Sequence, residues 1–144
     1  MARQYSNRKT GIVGLDTVIR NLNKELQRDK LQSLSGFTRV AALIRGSMES
    51  TPPLVPVGKT GNLRASWFTE FMSDIVTRNT GMRFGFSANY AMYVHERVEG
   101  AQWGAGVVGH VNWNRPGSGP KFLEAAIKRN RDRIGQIMME EMKR

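Results

Sequence analysis

The chain has 144 residues, enough for one domain with a core of its own. It contains no cysteine, which excludes disulfides and thiolate metal sites within it, and no apolar run near the ~18 residues that a membrane span needs. Lysine and arginine number 22 against 12 aspartates and glutamates, a formal net charge of +10, which points to a polyanionic neighbour or to a basic surface with no specific partner.

Residues 1–10 are polar and basic and read as a flexible arm; no apolar block follows them, so they are not read as a secretory signal. From Ile12 the apolar positions Leu15, Ile19, Leu22 and Leu26 fall at helical spacing, with Arg20, Lys24, Glu25 and Arg28 on the other faces. This predicts an amphipathic helix ending near Asp29. A second helix is predicted from Ser33 or Ser35, either of which suits an N-cap. Its apolar stripe is Phe37, Val40, Ala41, Ile44 and Met48, and it stops before Pro52, because the residue ahead of a proline disfavours the helical region. The prolines and glycines of TPPLVPVGKTGN predict an ordered irregular loop.

In LRASWFTEFM, Leu63, Ala65, Trp67, Thr69 and Phe71 alternate with more polar neighbours, which reads as a strand. DIVTRNTGMRFGFS reads as a hairpin, with Asn79-Thr80-Gly81 as the turn between arms 75–78 and 82–86. ANYAMYVHER allows one or two helical turns. Residues 97–119 are rich in glycine and read as a long exposed loop. A last helix is predicted from Pro120, a residue suited to a first helical turn, with Phe122, Leu123, Ala126, Ile127, Ile134, Ile137 and Met138 on one stripe and Gly135 as its weak point. The reading is therefore α+β in a single domain, residues 11–144: two N-terminal helices, a small antiparallel sheet of three to four strands, a long glycine-rich loop and a C-terminal helix.

Two letter-level motifs dissolve on inspection. Gly58-Lys59-Thr60 has the tail of a P-loop, but the first glycine of that motif would fall at Pro53, Pro56 removes another amide donor, and the segment before is helical rather than extended. GAGVVG, residues 104–109, matches a dinucleotide fingerprint, yet HVNWNRPGSGP follows it in place of a helix. His95 and His110 are the only histidines. Neither has the ligand company of a metal site or the neighbours of a hydrolytic centre, and the reading assigns no catalytic residue, no metal and no cofactor. Trp103 and Trp113 on the glycine-rich loop, with Tyr90 and Tyr93 before it, are candidate oligomer or partner contacts, because aromatics bury large area at small entropic cost. The tyrosines also fit a half-buried core, and the tryptophans a fold back onto the sheet. Lys128, Arg129, Arg131 and Arg133 form the densest basic group and are candidate contacts to DNA or to an acidic partner.

PVGKTGNLRASW resembles the P-V-x-T-G-x-L-R-x-S signature of tailed-bacteriophage head–tail joining proteins, described variously as neck, tail-completion, tail-component or minor capsid proteins. NYAMYVHE is similar to that family's Y-A-x-Y-V-E-x-G stretch, and GPKFLEAAI to its x-P-F-L-x-P-A-L element. All three occur in the family's order, and the resemblance spans most of residues 12–143. Gly58-Lys59 stands where the family has a single residue, and Arg97 where it has glycine. The resemblance implies that Pro56, Thr60, Gly61, Leu63 and Arg64 form a tight lead-in to a strand, with Gly61 supplying a positive φ. It implies a structural virion protein of the neck, assembled in the cytoplasm of a bacterial host. There it would form or join a ring of on the order of six or twelve copies between the DNA-filled head and the tail. Its partners would be further copies, neighbouring connector and tail proteins and, nonspecifically, the DNA of the channel, with no membrane. The alternative is a small basic DNA-binding protein, although helix 33–50 carries few charges for a recognition helix.

Overall fold

A computed structural model describes residues 14–57, 60–73, 79–100, 102–103, 106–107, 109 and 112–144. The predicted arm 1–10, the Gly58-Lys59 pair, His110 and the first hairpin arm, 75–78, lie outside the described residues.

Helix α1 (Leu15–Ser50) is a single run of 36 residues. The expected break between Asp29 and Ser33 does not occur. Nothing in DKLQSLS stops a helix: it holds no proline or glycine, and extending an existing helix adds one hydrogen bond per residue without a new nucleus. The stop before Pro52 is as predicted, with the Thr51 amide donating to the Ser47 carbonyl at 3.0 Å.

The chain then runs through the proline-rich segment, where Leu54 bridges to Ser118, and reaches a helical turn, α2 (Asn62–Ala65). The strand predicted from Leu63 begins only after it, as β1 (Trp67–Ser73). Gly61 at φ 68° starts the turn, and the Ser66 amide and hydroxyl close it onto the Leu63 carbonyl. Alternation of side chains over four residues fits one helical turn as well as a strand, and here these capping bonds decide.

β1 pairs antiparallel with β2 (Thr80–Phe86), in a register that sets Trp67 opposite Phe86 and Ser73 opposite Thr80. Thr80 and Gly81, expected in the turn, are therefore strand residues. Helix α3 (Ala91–His95) is the short turn that was predicted. In the glycine-rich loop, β3 (Gln102–Trp103) and β4 (Gly106–Val107) form a separate ladder. The main sheet thus has two strands among the described residues, rather than the expected three to four.

The C-terminal helix is also divided, into α4 (Phe122–Arg129) and α5 (Arg131–Met142). It begins after Pro120, past Lys121 at φ 56°. The interruption falls not at Gly135 but at Asn130, whose side-chain amide donates to the Ala126 carbonyl at 2.8 Å. Asparagine offers the backbone this local alternative to the regular ladder.

The five described helices and the β1–β2 hairpin share one core. Ile44 and Met48 of α1, Val55 and Phe122 are fully enclosed, and Leu63, Ala126 and Ile137 close around them. Burying Phe122 contributes roughly 2–3 kcal/mol. Along one face of the hairpin, Trp67 packs on Phe84 and Phe86 with centroids 5.6 and 5.3 Å away, and Phe86 packs on Phe122 at 5.6 Å. The Arg45 guanidinium covers Trp67 at 5.5 Å. The pair α4–α5 runs antiparallel to α1: Arg129 meets Ser47, Met138 meets Gly36, and Arg28 donates to the Arg144 carbonyl at 2.6 Å.

Candidate assembly surfaces and the signature cluster

The turn that carries the first signature is a structural knot. Pro56 is buried, Thr60 is exposed on the turn, and Leu63 is 2% exposed in the core. Gly61 has the positive φ expected of it. Arg64 grips Glu49 near the end of α1 through two bonds, Nε to Oε1 at 2.9 Å and Nη2 to Oε2 at 2.7 Å. Arg115, from the end of the glycine-rich loop, donates to the same carboxylate at 3.0 Å and to the Glu49 carbonyl at 2.8 Å. Partial desolvation would raise the Glu49 carboxyl, but the hydrogen bonds from Arg64 and Arg115 together hold it below the ordinary value. One carboxylate thus fastens α1, α2 and the end of the glycine-rich loop together.

The second and third signature stretches meet each other. His95 Nδ1 lies 2.8 Å from Glu96 Oε1, and Lys121 Nζ donates to Glu96 Oε2. The hydrogen bond from Lys121, then that with His95, lowers the Glu96 carboxyl. The Lys121 amide donates to the His95 carbonyl at 2.7 Å, which secures the left-handed backbone there. The His95 ring stands edge-on to Phe122 at 5.0 Å. Leu63, Ala91 and Phe122, one from each stretch, belong to the same core.

Of the candidate contact aromatics, Tyr90 at the start of α3 and Tyr93 within it are 39% and 41% exposed, beside Met92 at 73%. Arg97 lies 5.3 Å over the Tyr93 ring. Trp113 is half-buried, and Trp103 is described in its backbone alone, paired with Gly106.

The four basic candidates lie together around the α4–α5 joint, with different duties. Arg129 donates to the carbonyls of Pro52 at 2.8 Å, Thr51 at 3.3 Å and Ser47 at 3.4 Å, and to Ser47 Oγ at 3.1 Å. It thereby holds the Thr51 and Pro52 carbonyls just past α1 and shares the Ser47 carbonyl with the Thr51 amide. Lys128 is exposed and pairs with Glu124 at 2.6 Å. Arg133 pairs with Glu140 at 3.6 Å, and Arg131 is exposed.

Two features escaped the sequence reading. Glu141 is 3% exposed and is held by Arg39 across the α1–α5 contact; that hydrogen bond, against the opposing effect of burial, lowers its carboxyl. Second, every residue of α1 from Leu15 to Leu31 is exposed. The stripe Leu15, Ile19, Leu22 and Leu26 stands 46%, 46%, 58% and 51% exposed. The amphipathic pattern was visible, but what it packs against was not.

Among the described residues, no group of three or more His, Asp and Glu side chains is placed to hold a metal ion, and no helix is long and apolar enough to cross a membrane. No protein-family model, no curated protein and no solved structure matches the chain.

Proposed function

We propose that this chain is a structural protein of the neck of a tailed bacteriophage, forming or joining a ring that connects the DNA-filled head to the tail. The observation that carries the reading is the meeting of the three signature stretches around Phe122. Residues far apart in sequence that recur together as a signature are expected to share a structural task, and here they hold one core and its ion pairs. A scaffold built this way leaves its outer surfaces for partners. The chain has such surfaces in the bare half of α1, the α3 aromatics and a net charge of +10. Ring contacts are heterologous, so distinct patches on one chain are what a ring requires. The positive charge suits acidic neighbouring proteins or DNA passing through the lumen.

Deleting the gene from the source phage and imaging the lysate tests the proposal. Filled or leaking heads beside separate, finished tails are expected; intact infectious particles would refute it. The rival reading, a small basic DNA-binding protein, rests on the net charge. It requires a specific footprint on duplex DNA, whereas channel contact gives only nonspecific binding that falls steeply with salt.

A further inference from the structure

We infer that the Leu15–Leu26 face of α1 is a contact between copies of this chain, lying parallel and in register, with Glu25 of one copy paired to Lys30 of the next. The inference stands apart from the neck reading, since it rests on α1 alone.

Leu15, Ile19, Leu22 and Leu26 follow the alternating four-and-three spacing of a coiled-coil seam. Carried onward, that rhythm passes through Asp29, Ser33 and Gly36 to Val40 and Leu43, which face the core. The exposed stripe is therefore the outward continuation of the line that α1 turns to its own body. At Gly36 the line is covered by Met138 of α5, whose sulfur would lie 2.9 Å from an added Cβ. Arg28 holds the Arg144 carbonyl, so the cover reaches the level of Arg28 and the seam beyond it is bare. The bare part projects about 20 Å, at 1.5 Å per residue. Four large apolar side chains in a row, each near half exposed, form a continuous apolar stripe rather than scattered surface residues.

The charges beside the seam select the occupant and its direction. With Leu15 and Leu22 at d and Ile19 and Leu26 at a, Glu25 takes a g position and Lys30 the following e position. Both are exposed, and neither makes an ion pair with another described residue. In a parallel, in-register arrangement the g residue of one helix reaches the next e residue of its neighbour, so Glu25 meets Lys30 of the neighbouring copy. An antiparallel pair would set Leu15 against Leu26 and Glu25 beside Val18, where it finds no cation. Asp29, the next seam position, ends the apolar run just where the chain's own α5 arrives.

The absence of cysteine from the chain makes the test direct. Leu26→Cys in the full chain, mildly oxidised, is expected to give a disulfide-linked dimer, because equivalent positions face each other only in the parallel arrangement. The unmodified chain is expected to sediment as an oligomer at about 100 μM. Leu22→Glu is expected to weaken association at least tenfold while leaving the circular dichroism unchanged. Glu25→Lys is expected to weaken it several-fold, and Glu25→Lys with Lys30→Glu to restore it. A monomer at that concentration would overturn the inference, leaving the stripe to residues 1–13 or to another protein. An oligomer indifferent to Leu22→Glu would overturn it too. Cross-linking of mixed Leu15→Cys and Leu26→Cys chains without any Leu26→Cys homodimer would show antiparallel pairing and overturn the register. Loss of self-association with head–tail joining intact would sink this inference and leave the neck proposal standing. Self-association without a joining defect on gene deletion would do the reverse.

Discussion

The two halves of α1 are written in the same pattern and live in different surroundings. From Gly36 to Met48 the helix puts Val40, Ala41, Ile44 and Met48 out of solvent, under α4, α5 and the hairpin. From Leu15 to Leu31 the same periodicity stays exposed, and Arg28 reaches the Arg144 carbonyl from that half. Amphipathicity states that a face is to be covered; it does not state by what. The difference separates residues that stabilise the fold from residues that are free to serve assembly.

The sharpest way to break this comparison is to damage each half equally. Phe122→Ala, against the covered half, should destabilise the chain by about 3–5 kcal/mol, through lost burial and the cavity left behind. Leu22→Glu, in the bare half, should change the stability of the monomer by no more than about 0.5 kcal/mol. Urea unfolding at low protein concentration measures both, and comparable losses would mean that the outer half is covered after all.

Acid should reach the covered half first. The carboxyls of Glu141 and Glu49 are both held below their ordinary value in the folded state. Their contribution to stability is therefore complete above the unfolded carboxyl range of about pH 4 and is lost as pH falls through the lower folded values. Urea midpoints taken from pH 6 downward should fall over that window, and Glu141→Gln should lower the neutral-pH midpoint and flatten the fall. An unchanged pH profile in Glu141→Gln would remove the Arg39–Glu141 pair from the account.

A smaller contrast divides the basic group. Arg129→Ala should cost about 1–2 kcal/mol, since it removes the donor to the Ser47, Thr51 and Pro52 carbonyls where α1 passes into the proline-rich segment. Lys128→Ala, which breaks one exposed pair with Glu124, should cost less than about 0.5 kcal/mol. Thermal melts of the two variants decide between them.

The smallest contrast lies within α1. Gly46 has open space where a Cβ would go, so Gly46→Ala should stabilise by about 1 kcal/mol from helix propensity. Gly36→Ala needs the Met138 side chain to give way, and should gain less or lose. Equal gains would mean that α5 sits more loosely over the seam than its contacts indicate.

What could be read in the sequence was local. The stop at Pro52, the positive φ at Gly61, the short α3 and the apolar stripe from Phe122 to Met138, with the exception of Ile127, which is 39% exposed, all follow from single residues or one periodic face. The errors were local ambiguities settled by hydrogen bonds. Ser33 and Ser35 can cap a helix, yet lie inside one; Leu63 and Ala65 fit a strand, yet Gly61 and Ser66 wind them into a turn. Asn130, not Gly135, divides the last helix; its side-chain amide bonds the Ala126 carbonyl, a local contact that helix propensity, which ranks glycine as the weaker residue, does not register. The ion-pair knots were out of reach. Nothing near Glu49 in the sequence announces Arg64 and Arg115, and nothing near Arg39 announces Glu141. The sequence reads Arg64 as part of a turn; its grip on α1 emerges only when the chain is folded.

The length of α1 also has a mechanical meaning. At 1.5 Å per residue, 36 residues make a strut of about 54 Å, with no proline along it to act as a joint. Pivoting it by roughly 10° about Arg28 would sweep its tip by about 3 Å. Torque applied at Leu15 therefore travels down a stiff shaft to Glu49, where Arg64 and Arg115 couple it to α2 and to the glycine-rich loop. A load taken up at one end of the molecule is delivered to the segments that shape the other.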